Sequence, residues 1–336
     1  MSLPPSEIPL GAIRFNSDSQ KLEYWIGSAW MQIKTFLPNL EGGQGRGFVF
    51  QGIEPSIVNS VSFVDITSDG GGSDFGDATS GRRAPAGAGS GTRVLSAGGC
   101  TPSVQDNIDF FTVASTGNGT DFGNMSTGNR SAMGGMGNQT RALFCGGYTP
   151  SVSDTIDAVE IASTGTSFDF GNLSVGRWDP SAFSSPTRGV IANGTAVAAG
   201  NSVSNVIDFV TISTSGNAQD FGDATGIKQA APGCSNSITG CWGGGYTPST
   251  VGNIDTITIA TRGDATDFGD LSTNRSVGAA FSSSTRGIWA AGYAGGNSNI
   301  LDYVRFATKG NAVDYGDLNR STHRTTGASN SHGGLG

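Results

Sequence analysis

Short runs of alternating apolar and polar residues recur along the chain, separated by stretches of Gly, Ser, Thr and Asn. Ile108 to Val113, Ile156 to Ile161 and Ile207 to Ile212 each open on Ile-Asp and end on a β-branched residue. This period-two pattern predicts a half-buried β-strand. Each run belongs to a set of four. A strand of small residues (Gly278 to Ser283) comes first. A second strand opens after Thr-Arg and ends in Gly-Gly or Gly-Tyr (Arg141 to Tyr148, Gly240 to Tyr246), and the alternating strand is third. The fourth carries Asp-Phe-Gly and is commonly followed by Arg. That tripeptide stands at Asp74, Asp121, Asp169, Asp220 and Asp267, with Asp-Tyr-Gly at Asp314. The intervals are 47, 48, 51, 47 and 47 residues. Periods of this length indicate propeller blades or a related repeat array.

The two ends of the repeat region complement each other. Arg46 to Gly52 reads as a second strand with no first strand before it, and Arg324 to His332 as a first strand with no second after it. Joined, they complete one blade and remove the open edges. The expected fold is therefore all-β: a six-bladed β-propeller of four-stranded antiparallel blades over 46–336, closed by a C-terminal strand. The strand order resembles that of kelch-type propellers across residues 46 to 333, with Asp-Phe-Gly where kelch blades carry an outer-strand Trp. Residues 1–45 lie outside the repeat. Ala12 to Asn16, Lys21 to Ile26 and Trp30 to Ile33 read as three short strands, and Leu37 to Gly47 as a linker.

Composition agrees with many turns and few helices: 54 of 336 residues are Gly and 14% are charged. A net charge of −8 argues against a general nucleic-acid binder. No window approaches the length of a membrane span, so membrane insertion is not expected. The first residues show no signal peptide, which predicts a protein assembled in the cytoplasm. Cys100, Cys145, Cys234 and Cys241 have no metal-binding spacing. Cys234 and Cys241 flank a hairpin turn, where they could face each other or form a disulfide.

Chemistry that repeats in every unit reads first as scaffold. The Asp-Phe-Gly copies lack the Lys and catalytic loop that accompany the kinase metal motif. Arg93, Arg141, Arg188 and Arg286 (with Arg46) recur at the turn between first and second strands, and are expected to pair with the Asp-Phe-Gly aspartates at the same end of each blade. Asp109, Asp157, Asp208, Asp255 and Asp302 recur on the third strand, where an inward carboxylate needs backbone donors or a buried Arg. With only His323 and His332, and few Glu residues in the repeats, no catalytic or metal-ligating set can be assembled. No enzyme activity, metal or cofactor is expected. The opposite face collects Tyr148, Tyr246 and Tyr293 with Arg130, Arg177, Trp178, Arg275 and Arg320, and Lys228 in the fourth unit. Aromatic rings beside cations suit glycan or protein recognition. Trp178-Asp-Pro180 and the loop from Asn193 to Ser204 break the repeat there.

The segment from Pro9 to Trp30 resembles a short module at the start of many tailed-bacteriophage virion proteins. That resemblance implies a structural protein of the particle surface: a tail fibre, appendage or receptor-binding component, or alternatively a capsid decoration protein. A stand-alone lectin is the reading from a different class. Phe15, Tyr24, Trp25 and Trp30 would dock the module to other virion proteins or to copies of itself, a homotrimer being favoured, and the propeller would face a host glycan or protein.

Overall fold

The computed structural model describes residues 8–16, 21–32, 45–68, 70–196 and 202–335. Two compact units divide the chain, Met1–Gly43 and Gln44–Gly336. In the first, Ile13–Asn16, Lys21–Trp25 and Trp30–Gln32 form a three-stranded antiparallel sheet. The register aligns Ile13, Tyr24 and Met31 in one row, and all three are exposed, as is Phe15. The other face carries an Arg14–Glu23 ion pair at 2.8 Å, Arg14 over the Trp30 ring at 4.2 Å, and a Trp25–Trp30 contact at 5.4 Å. Most of the expected linker, 37–44, lies outside the described residues.

Among the described residues of the second unit six four-stranded antiparallel sheets follow one another, five of them pairing their strands in chain order. The third is typical, with Gly134–Gly137, Arg141–Cys145, Thr155–Glu160 and Phe168–Asn172. The first takes strands from both ends of the unit: Thr326–Ser329 pairs with Arg46–Glu54, Thr326 opposite Phe50 and Ser329 opposite Gly47. The small-residue first strands touch each other in sequence, and that of the sixth sheet touches Thr326–Ser329, so the series closes on itself. This arrangement is compatible with the expected β-propeller. Among the described residues no helix is long and apolar enough to cross a membrane.

The sheet count differs from expectation. Counting the N-terminal sheet, the described residues form eight sheets of three or more strands, together with three two-stranded ribbons. The ribbons arise because second strands end sooner than predicted. In the third sheet the strand stops at Cys145, since Gly146 and Gly147 take φ of 66° and 104°, outside the extended region. The chain then turns into a separate hairpin, Tyr148–Thr149 against Ser151–Val152.

Hydrophobic cores lie between consecutive sheets: Leu95, Ile108 and Phe122 of the second pack with Phe144 and Val159 of the third. The Asp-Phe-Gly motif makes the seam. Its aromatic residue is buried in all six copies, Phe75, Phe122, Phe170, Phe221, Phe268 and Tyr315. Its Gly lies where the chain of the next repeat crosses closest. A Cβ on Gly123, whose φ is 140°, would lie 2.3 Å from the Gly165 carbonyl oxygen. Gly165 N–H in turn donates to Phe122 C=O at 2.7 Å.

Candidate functional site

The cations that follow the fourth strands were expected on a recognition face, but they are buried. Arg82, Arg130, Arg177, Lys228 and Arg275 are at most 3% exposed, and each pairs with the third-strand Asp of the following sheet: Asp109, Asp157, Asp208, Asp255 and Asp302. Arg82 Nη2 meets Asp109 at 2.5 Å, while its Nη1 donates to Gly98 and Asn107 carbonyls at 3.0 and 2.7 Å. Thr79 adds a hydroxyl to the same carboxylate at 2.6 Å. Each group thus staples one sheet to the next. Buried charge of this kind is tolerated only when paired and hydrogen-bonded. Ser62 replaces Asp in the first repeat, so Arg320 turns instead to Glu54 and donates to Ser62 Oγ at 2.9 Å. Arg177, Arg275 and Arg320 therefore belong to the scaffold, and the expected convergence of free cations is absent.

The second expected contact also differs. Asp74, Asp121, Asp169, Asp220, Asp267 and Asp314 are all exposed, and no ion pair joins them to the turn arginines among the described residues. Those arginines reach main-chain carbonyls of the next sheet: Arg93 to Ile161, Arg141 to Ile212, Arg188 to Ile259 and Arg286 to Ile66. On the way they cross aromatic rings, Arg93 over Phe110 at 4.6 Å and Arg188 over Phe209 at 4.5 Å. A guanidinium satisfied by carbonyls and a ring face has no need of the exposed carboxylate.

Of the predicted recognition residues, the tyrosines remain free. Tyr148, Tyr246 and Tyr293 are 43, 43 and 42% exposed. Trp178 is half-buried, on a short strand pairing with Thr195–Ala196, and its ring lies 6.1 Å from that of Tyr148. Within the irregular loop Asn193 is a buried strut. Its amide donates to Ser204 and Gly226 carbonyls at 2.8 and 3.0 Å and accepts the Trp242 indole N–H at 2.6 Å. Residues 197–201 of that loop lie outside the described residues.

Two residues after each of the first five cations, and four after Arg320, the chain makes a feature that the repeat pattern alone did not reveal. Ala84, Ala132, Asp179, Ala230, Val277 and Arg324 have φ between 50° and 56°. This left-handed region is unusual for residues other than Gly, most of all for a β-branched Val. In five of the six it turns the N–H toward the preceding repeat. Ala132 donates to Ala84, Asp179 to Ala132, Ala230 to Asp179, Val277 to Ala230 and Ala84 to Arg324, at 2.6 to 3.0 Å. The six residues border one axial cavity of about 90 Å³, floored by the first strands. Four of the six side chains are small and apolar, and two are charged. Neither Asp179 nor Arg324 makes a side-chain hydrogen bond or ion pair among the described residues. Burial pushes the Asp179 carboxyl up to about 6, against the through-space pull of Arg324. Trp178 precedes the acid. His323 precedes the base, with Nδ1 buried and unpartnered and its ring 5.5 Å from Tyr293.

At the other end of the axis the first strands carry a hydroxyl ladder. Ser184, Ser235, Ser282 and Ser329 each donate to the carbonyl of the preceding repeat at 2.6 to 2.7 Å. The series lapses at Gly89 and Gly137, and there His332 Nε2 meets the Gly89 carbonyl at 2.8 Å. The C-terminal turn Gly333–Leu335 packs against the first strands of the fourth and fifth sheets at that end. All four cysteines are free. Cys234 and Cys241 are direct cross-strand partners without a bond between them. Burial pushes the Cys145 and Cys241 thiols up to about 12 and raises Cys234 as well, which removes the reactive thiolate at neutral pH.

The chain matches no protein-family model, and no curated protein shows significant sequence similarity to it.

Proposed function

We propose that the second unit is a six-bladed β-propeller and that the chain is a non-catalytic structural protein of a phage particle, its N-terminal sheet docking to other virion proteins and its propeller displayed outward. The support for blades is the closed series of first strands and the sheet completed from both chain ends. The observation that carries the functional reading is the division of the polar groups. The repeated cations and third-strand aspartates are consumed in holding sheet to sheet, while Tyr148, Tyr246 and Tyr293 stand exposed, Tyr148 with its ring against that of Trp178. Exposed rings on rigid turns suit attachment to a surface by shape and stacking. In the N-terminal sheet the exposed row of Ile13, Tyr24 and Met31, with Phe15, is the apolar face that docking to a particle protein would cover. Tail fibre and capsid decoration use the same parts.

The test is to image particles carrying a tagged chain, with and without residues 1–44. The expected result is label at the tail or capsid surface that disappears on truncation while the remaining chain stays folded. Label retained without residues 1–44 overturns the docking role, and a chain that never enters particles overturns the virion assignment and favours a free-standing lectin.

A further inference from the structure

The axial cavity is a site the particle assignment does not explain, and it does not depend on that assignment. The residues around it occupy six equivalent positions, one per repeat. In a closed series of six the third and sixth positions are opposite, and these hold Asp179 and Arg324. The four positions between them are Ala, Ala, Val and Ala. The cavity rim is therefore acidic on one side, basic on the other and apolar between.

Both charged groups stand without contact partners, whereas the buried cations in the rest of the unit are matched to carboxylates. Among the described residues neither side chain makes a hydrogen bond or ion pair, and the two act on each other only through space. A chain using this position for support alone has the solution of Ala84, Ala132 and Ala230, which make the same N–H to carbonyl link to the preceding repeat without charge. What the two groups share is the space between them.

We propose that the axial mouth binds a compact zwitterion, whose ammonium group meets the Asp179 carboxylate and whose carboxylate meets the Arg324 guanidinium. A simple anion satisfies Arg324 but brings negative charge toward Asp179, and a simple cation does the reverse. A neutral guest leaves both groups desolvated and unpaired, which is unfavourable in a confined cavity. A molecule with one charge of each sign answers both. The size is bounded too: about 90 Å³ is well below the roughly 300–1,000 Å³ of drug-sized pockets. The guest is thus of amino-acid dimensions, or the zwitterionic end of something larger.

The experiment is calorimetric titration of the full chain with glycine, β-alanine and 4-aminobutyrate, with acetate and methylamine as single-charge controls. At least one zwitterion should bind tenfold or more tighter than either control. Asp179→Asn and Arg324→Gln should each weaken that binding at least tenfold without lowering the melting temperature. Amide chemical-shift changes in the unmutated protein, read with the same compounds, should centre on Asp179, Arg324 and their ring neighbours, so the site is mapped even if a variant fails to fold. No binding by any zwitterion at millimolar concentration, equal binding of the controls, or shifts located elsewhere would each overturn the proposal. Loss of particle attachment would leave it standing, because titration reads the isolated chain.

Discussion

At the scale of single residues, position within the repeat decides whether a charge supports the fold or faces outward, and its partner decides how much its loss matters. Arg177 is fully buried against Asp208. Arg177→Ala would leave that carboxylate uncompensated, so a loss of about 3–5 kcal/mol is expected in chemical denaturation. Trp178→Ala, one residue on and half-buried, should change stability by less than about 1 kcal/mol. Lys228 is the exception among the staples. It lies 3.3 Å from Asp255 and leaves Asp255 Oδ2 without a hydrogen bond. Lys228→Arg, matching the other repeats, should raise the denaturation midpoint by the equivalent of about 1 kcal/mol. Asp179 behaves oppositely. Its folded pKa of about 6 lies above the ordinary 3.8, so the native state favours the protonated form. That contribution is complete below about pH 3.8 and lost as pH rises through 6. Asp179→Asn should therefore raise the melting temperature at pH 8 and leave it nearly unchanged at pH 3.5. The third-strand aspartates and their need for a buried partner were legible from the alternating pattern. Which Arg would supply it was not, because the donor comes from the preceding sheet and sequence spacing does not show which groups meet across a seam.

At the scale of elements, Asp-Phe-Gly divides its work among its residues: a ring in the core, a bend allowing close approach, and a carboxylate left in water. A Cβ at Gly171, whose φ is 144°, would lie 2.5 Å from the Gly216 carbonyl oxygen. Gly171→Ala is expected to destabilise by about 1–3 kcal/mol, whereas Asp169→Ala should be close to neutral, and paired denaturation curves compare the two. The strands themselves were readable from alternation and glycine spacing. In the second to fifth sheets the third strands begin within a residue of where the pattern places them, as with Thr155–Glu160 for the run starting at Ile156. The short ribbons were not readable. A Tyr following Gly-Gly continues an apolar pattern on paper, and only the left-handed backbone of the two glycines breaks the ladder. The ring of left-handed residues was hidden for the same reason, since Ala, Asp, Val and Arg give no sign of positive φ. The trace in the sequence is the column itself, in which Asp179 and Arg324 stand where the other repeats have Ala or Val.

At the scale of the whole second unit, closure depends on contacts between its far ends. Removing residues 324–336 deletes the first strand of the first sheet together with His332 and the terminal turn, and exposes the edge of Arg46–Glu54. Early melting and aggregation are expected, measured by scanning calorimetry and light scattering. The split sheet was legible in the sequence, because two incomplete repeats at opposite ends add up to one. The fit of the last residues was not, since it rests on two glycines leaving a gap in a hydroxyl ladder. The same closure sets an order in time. Arg46 N–H is held by the Asn330 side chain, 284 residues later in the chain. During synthesis the first sheet must wait, three-stranded and open-edged, until residues 326–330 have followed every other sheet of the unit. Sheets two to six can form as they emerge, each resting on its predecessor, but the first cannot. The growing chain is an open arc with an adhesive edge at its oldest end, and on a crowded polysome one such edge can meet another before its own partner exists. The quantity under selection is then the interval between exposing that edge and covering it, which translation speed governs as much as equilibrium stability does.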